Sequence, residues 1–596
     1  MPRGKGKTMT LSSEEMSQLV KVSLGEEKAD LAITDGALLN VYTGELLEGY
    51  SVAVKGERIA YVGREIGHTL GPETEVIEAT GKTLIPGLID GHTHLIDVYR
   101  ADEFLRYAMR GGTTSIITET LEFSFPLGYR GILQFLESIR NQPIKIFASL
   151  PAMMSLSQTA QANAIGVEDM RKLLRHQDVI GLGENYWRPI VQGDRRVLDM
   201  FAETLASGKK IAGHTSGASG NKLQACLACG ICDCHEPITA EETLERLRLG
   251  IHVLVREGEI RRDLTAISKI KDHNIDFRRL ALCTDGTGPR YLMEEGYMEF
   301  VVQKAIDLGF DPVVAIQMAT INIAEHLSLD GIIGGIAPGK YADIVLIPDL
   351  RRIEAEYVIS NGRVIARKGQ LLVQPRRHRF PKWVFRSIQL PGKLEPASFA
   401  IPVESGRAQV EVRVIDQVSP LLTREVQIVM PVRGGVIEAD VDRDILKVAA
   451  IDFRNQPGKM FVGLVRGFKM KKGAFATSGA WDISNIIVVG TNDDDIAQAA
   501  SRIVELQGGI VVCADGQVLA ELPLPIAGLL SDLPVETIRQ RLDDVQQKVT
   551  QLGVPFPDAH LTLAVLTTPA VPFLRICEEG LVNIREGKSV DLIVCS

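Results

Sequence analysis

From residue 84 to about 330 the chain alternates short, nearly continuous apolar runs with longer amphipathic stretches. The runs "TSIITET", "IKIFASLP", "VIGLGE", "KIAGH", "HVLVRE" and "LALCTD" predict buried β-strands. The stretches "LQFLESIR", "EDMRKLLRH", "VLDMFAETLASG" and "ETLERLRLG" between them predict helices. Strand and helix in strict alternation imply parallel pairing, in a closed barrel or a doubly wound sheet. Before this region, over 30–83, shorter segments alternate around turn residues such as Asp35-Gly36 and Lys55-Gly56, which predicts small β-hairpins. After it, over 331–375, "ADIVLIPDL", "AEYVIS" and "NGRVIARKG" repeat the pattern. Residues 1–29 are polar and predict an arm, or a helix packed on a partner. The basic, proline-containing stretch "QPRRHRFPKWVF" marks a boundary near 376. The remainder, 376–596, is long enough for one α/β domain. In it "NDDDIAQAASRIVELQGGIVVC" predicts a helix then a strand, and "VETIRQRLDDVQQKVTQLG" a helix.

Composition changes this picture little. At 596 residues more than one core is expected, and 45% hydrophobic with 24% charged residues is ordinary for a globular enzyme. A net charge of -9 argues against a nucleic-acid or anionic-membrane surface. The basic opening Met1 to Lys7 has no apolar run behind it, and no apolar stretch is long enough for a bilayer, so a cytoplasmic protein is expected. Eight cysteines in so long a chain make no disulfide framework. Four of them, Cys226, Cys229, Cys232 and Cys234, have a spacing that fits iron–sulfur or zinc ligation or a redox device. The same spacing also fits small buried residues.

The chemistry concentrates at the ends of the strand candidates. In Ile89-Asp90-Gly91-His92-Thr93-His94 the two histidines are two apart at the end of an apolar segment, so both side chains face one way and can bind one metal. Glu184 ends "GLGE", His214 ends "IAGH", His235 follows Cys234, and Asp285 follows Cys283-Thr284. Functional residues at successive strand ends are the layout of a (β/α)8 barrel. Asp285 could alternatively cap a helix. Arg256 and Glu257, closing "VLVRE", face the pocket and hydrogen-bond substrate, or pair with each other.

The order His-x-His, Glu, His, His, Asp resembles the amidohydrolase superfamily. Longer stretches resemble the adenine deaminase family within it: Gly111-Gly112-Thr113-Thr114, Arg256-Glu257-Gly258, Cys283-Thr284-Asp285, "IQMATINIAEH", "GGIAPGKYADIVLI", "NIIVVGTND" and "LPLPIAGLLS". The resemblance runs from about residue 30 to the C-terminus. It implies a metal-dependent (β/α)8 barrel at 84–330, a composite β-sandwich from 30–83 plus 331–375, and a C-terminal adenine-deaminase-like domain at 376–596. It also implies two divalent metal ions, manganese, iron or zinc. His92 and His94 would hold one, His214 and His235 the other, and Glu184 would bridge them. Asp285 would touch a metal and take the proton from water, with Glu122 the next candidate for that role. The implied substrate is a purine base, deaminated by water to release ammonia, and a homo-oligomer is the common state for such enzymes.

The chain departs from the family in several places. Leu95-Ile96-Asp97-Val98 replaces Ile-Glu-Ser-Ser after His-x-His. Glu119-Thr120-Leu121-Glu122 stands where the family has Asp-Pro-His-Glu. Trp481-Asp482-Ile483-Ser484-Asn485 stands for His-Asp-Ser-His-Asn, and Phe453-Arg454-Asn455 for Arg-His-His. Leu121 and Trp481, expected at the substrate, cannot supply histidine's ring hydrogen bond or proton. Two alternatives stay open: an amidohydrolase acting on a cyclic amide or imide, and a diverged metal-binding sensor that uses the cysteine run.

Overall fold

The computed structural model describes residues 10–95, 98–152, 154–403 and 406–594; Ile96 and Asp97 of the departures lie outside it. Eight strands form the central sheet: β1 (Leu88–Thr93), β2 (Thr113–Thr118), β3 (Lys145–Pro151), β4 (Val179–Tyr186), β5 (Lys210–His214), β6 (Asp233–Cys234), β7 (His252–Arg256) and β8 (Leu280–Cys283). Each pairs in parallel with the next. Strands buried on both faces are expected to be continuously apolar, and β2 and β8 are buried at every position. β1 and β8 share no ladder, but the Asp285 N–H donates to the His92 carbonyl (3.0 Å) and brings the last strand end against the first. Helices follow the strands, so the sheet is a nearly closed (β/α)8 barrel.

Strands from both sides of the barrel enter one nine-stranded sheet. The join is the antiparallel pair Thr83–Pro86 with Ile344–Ile347, in register Ile344↔Pro86. Thr83–Pro86 then runs directly into β1. Leu31, Ile33, Val52, Ile344 and Leu346 fill this sheet's core. The expected arm is, over its described part, a helix, Ser13–Leu24, opened by a Ser12–Glu15 capping box. Its Leu19 and Val22 pack on Ala32, Ala53 and Ala60 of the chain's own sheet.

The C-terminal part is built on an eight-stranded sheet, antiparallel except where Gln409–Gln417 meets Met460–Arg466. Helix Asp493–Leu506 lays Ile496 and Ile503 on Ala449, Val488 and Val511 of that sheet. Helix Val535–Gln551 reaches back to the barrel: Glu536 receives Arg106 (2.8 Å), Asp543 pairs with Arg290, and Arg539 with Glu294. No helix among the described residues is long and apolar enough to cross a membrane.

Candidate metal centre

β1 delivers His92 to the barrel's C-terminal mouth, with His94 one step past the strand. Asp90, two residues earlier on the same face, accepts from the backbone N–H of His92 and of Thr284, and from the Thr284 hydroxyl (2.6 Å). It thereby ties β1 to the strand that carries Asp285. Gly183 leaves room for a buried carboxylate, since a Cβ there would sit 2.0 Å from the Glu119 side chain.

Four rings converge on one atom. Glu184 Oε1 lies 3.3 Å from His94 Nε2, 3.6 Å from His214 Nδ1, 3.6 Å from His235 Nε2 and 3.7 Å from His92 Nε2. Asp285 Oδ1 lies 3.2 Å from His92 Nε2 and 3.5 Å from His94 Nε2. These separations exceed ordinary hydrogen bonds for the most part. They match the ~3.4 Å between two ligand atoms each about 2.1 Å from a shared tetrahedral ion. His92, His94, Glu184 and Asp285 form one such group, and Glu184, His214 and His235 another. His214 Nδ1 and His235 Nε2 are buried with no hydrogen-bond partner, which is costly unless something else binds them.

The electrostatics also call for cations. Burial works against a charged His92, yet Asp285 and Glu184 outweigh it and raise the ring's pKa to about 10; Glu122 and Glu184 likewise raise His94. His235, stacked on His92 at 4.0 Å, is driven down to about 3 by burial and by that neighbour's charge. The carboxylates therefore draw positive charge that the crowded rings cannot all carry. Glu184 (φ 45°) and Asp285 (φ 58°) sit in left-handed backbone, a strain typical of functional positions.

A second layer orients the ligands, as metal-binding histidines require. Glu122 Oε1 contacts His94 Nδ1, and Glu119 Oε1 lies 3.5 Å from His92 Nδ1, which leaves both Nε2 atoms for the centre. Glu236 belongs to the centre itself: it lies 3.4 Å from His235 Nε2, the atom that also faces Glu184, forms a candidate ligand group with His235 and Asp285, lies 3.6 Å from His214 Nε2, and is paired with Arg256. Glu119 and Glu236 were not among the residues expected from sequence, although Glu236 directly follows His235.

Three expectations need correction. Arg256 and Glu257 do not pair with each other. The Arg256 guanidinium is taken by Glu236, Asp263 (3.0 Å) and Asp285 Oδ2 (3.2 Å). Glu257, its neighbour at the strand end, points the opposite way and binds Lys304 (2.7 Å), so it is not a substrate residue. The four cysteines do not converge either. Among the described residues no ligand group holds more than one of them. Cys226 and Cys229 close a helix, Cys232 Sγ donates to the Ile211 carbonyl, and Cys234 Sγ meets Thr215 Oγ1. Burial pushes the Cys226 thiol to about 11 and Cys232 to about 12.

Above the centre lies a cavity of about 580 Å³. His94, Glu184, His214 and Asp285 form its floor. Leu121, Phe125 and Glu122 from the barrel make one wall, and Trp481, Asp482 and Ile483 from the C-terminal part make the roof. Leu121 and Trp481 both line this cavity.

Residues 83–365 match the Amidohydrolase family, and 420–588 match the Adenine deaminase C-terminal domain. Adenine deaminase of Moorella thermoacetica (strain ATCC 39073 / JCM 9320) is 38% identical over 588 residues, covering 98% of each chain. Adenine deaminase of Desulforamulus reducens (strain ATCC BAA-1160 / DSM 100696 / MI-1) is 35% identical, covering 97% of this chain and 98% of its own. Adenine deaminase 3 of Rhizobium meliloti (strain 1021) is 34% identical, covering 98% of this chain and 99% of its own.

Proposed function

The chain belongs to the adenine deaminase family of amidohydrolases, and from that premise we infer that it hydrolyses adenine, or a closely related aminopurine, to the oxopurine and ammonia with two divalent metal ions. The observation that carries this reading is the single carboxylate oxygen of Glu184 faced by four histidines on the floor of the cavity. His92 and His94 with Asp285 form one side of the set, His214 and His235 the other, and Glu184 stands between. When bound, a divalent metal supplies an acidified water, lowering its pKa from 15.7 to about 7.

The protein's own groups do the rest. Asp285 keeps Oδ1 toward His92 and His94 while Arg256 holds Oδ2. Burial opposes its charge, but the histidines and Arg256 prevail and hold the carboxyl well below its usual range. It is placed to take the proton of the attacking water and to return it to the leaving amine. Glu122 is committed through Oε1 to His94 and fixes that ring. Leu121, Phe125 and Ile483 are buried and give the cavity an apolar lining. The seven described cysteines are all unpaired, which supports a reducing, cytoplasmic setting.

A second reading draws on Leu121 and Trp481 at the cavity: hydrolysis of another heterocycle. Ammonia release by enzyme loaded with manganese, iron or zinc, from purines, pyrimidines and cyclic ureides, tests both. Turnover of adenine above the others is expected; a pyrimidine or ureide turned over in its place would favour the second reading.

A further inference from the structure

The roof of the cavity carries a carboxylate outside the ligand set. Asp482 is 6% exposed and lines the cavity. Its Oδ2 accepts from the Tyr186 hydroxyl (3.3 Å) and from the Thr568 hydroxyl. No hydrogen bond among the described residues reaches Oδ1. The same Tyr186 packs its ring edge-on against His214 at 4.8 Å. This places Asp482 above the reacting centre and not at the outer rim. The segment is fastened on both sides: the Trp481 N–H donates to the Ala564 carbonyl, and the Thr567 hydroxyl to the Trp481 carbonyl (2.7 Å). Asp482 itself takes left-handed backbone, φ 59°. A buried carboxylate held in that conformation, with one oxygen satisfied and the other turned to an open cavity, is built to meet a ligand donor.

We propose that Asp482, supplied by the C-terminal part, is a substrate-contacting residue whose Oδ1 accepts a hydrogen bond from the exocyclic amino group of the aminopurine. The inference rests on the aminopurine reading above. The amino group is bonded to the carbon that water attacks, so it is the substrate donor held nearest the centre. The contact orients the leaving group and distinguishes a 6-amino substituent from its absence.

Asp482→Asn tests this sharply. Tyr186 and Thr568 both donate to Oδ2, and Thr568 Oγ1 already accepts from the Ala570 N–H, so the surroundings favour the amide oxygen at the Oδ2 position with the NH2 turned to the cavity. A donor then faces a donor. The kcat/KM for adenine should fall about 10–100-fold, the range for losing a charge-assisted hydrogen bond. The inhibition constant of unsubstituted purine, which lacks the amino group, should move less than about 3-fold, with metal content unchanged. Asp482→Glu keeps the charge but displaces the oxygen, and should show the same selective loss; it serves if the asparagine variant does not fold. Equal weakening of adenine and purine, or unchanged adenine kinetics, would overturn the proposal. Wild-type enzyme that is fully metallated yet inert toward adenine would overturn the aminopurine reading itself, and the inference with it.

Discussion

His92 and His94 contribute ring nitrogens to the centre, while the backbone around them is held by Asp90 and the barrel ladder. His92→Ala or His94→Ala is therefore expected to lose metal and activity together with the circular dichroism spectrum intact; elemental analysis of the purified variants checks it. Asp285→Asn keeps one oxygen for the centre but cannot accept the water's proton. At least part of the metal should stay, and turnover should fall at least ~10²-fold, the scale of a lost general base. Leu121→His with Trp481→His restores imidazoles to the cavity wall and is expected to raise adenine turnover at least ~10-fold, measured as kcat with both metals loaded. An unchanged rate would make the two departures silent. Five of the six candidate ligand positions were legible in the sequence because short apolar runs closed by a polar residue mark strand ends, and His235, which closes no such run, through the family order of ligands. Glu257 misled because adjacent residues at a strand end face opposite ways. Glu119 showed no such distinction from its neighbours, and Asp482 reaches the cavity only through the packing of a distant segment.

At the scale of elements, the roof depends on one buried cation. Arg575 is wholly buried and donates to the carbonyls of Val565 (3.0 Å), Val571 (2.9 Å), Pro572 (3.0 Å) and Leu421 (2.6 Å). Leu421, Val571 and Pro572 all line the cavity. Arg575→Met would leave these acceptors unsatisfied, at ~1–3 kcal/mol for each one that water cannot reach. A clear drop in the melting temperature of the C-terminal part is expected by calorimetry, together with a raised KM. The helices of this part were readable from periodicity, as Asp493–Leu506 and Val535–Gln551 show. The order of its strands was not: consecutive strands pair as hairpins, but Gln409–Gln417 with Met460–Arg466, Leu446–Asp452 with Asn485–Gly490, and Ala474–Thr477 with Gly509–Ala514 join across intervening chain, and no local pattern encodes those three pairings. The cysteine run left two readings open for a related reason: spacing along a helix end and a strand does not say where each thiol points.

For the whole molecule, the centre binds cations only when the barrel is formed, so metal and fold are linked. Chelation should lower the first melting transition by several degrees and reloading should restore it, since a ligand at ~1,000 times its Kd adds about 4 kcal/mol to the folded state. No shift on reloading would separate the centre from stability. The barrel and its N-terminal sheet were legible because alternation and strand-end chemistry agreed. The resemblance brought Leu121 and Trp481 to one substrate; the remaining lining of the shared cavity was not legible, because it exists only where the two halves meet.

That sharing has a consequence for synthesis. In chain order the last barrel ligand is Asp285, whereas Trp481, Asp482 and Pro572 come far later. On the ribosome the ligand set is therefore complete while the roof is still untranslated. The floor of the cavity is thus encoded by one continuous stretch of chain and its cover by another.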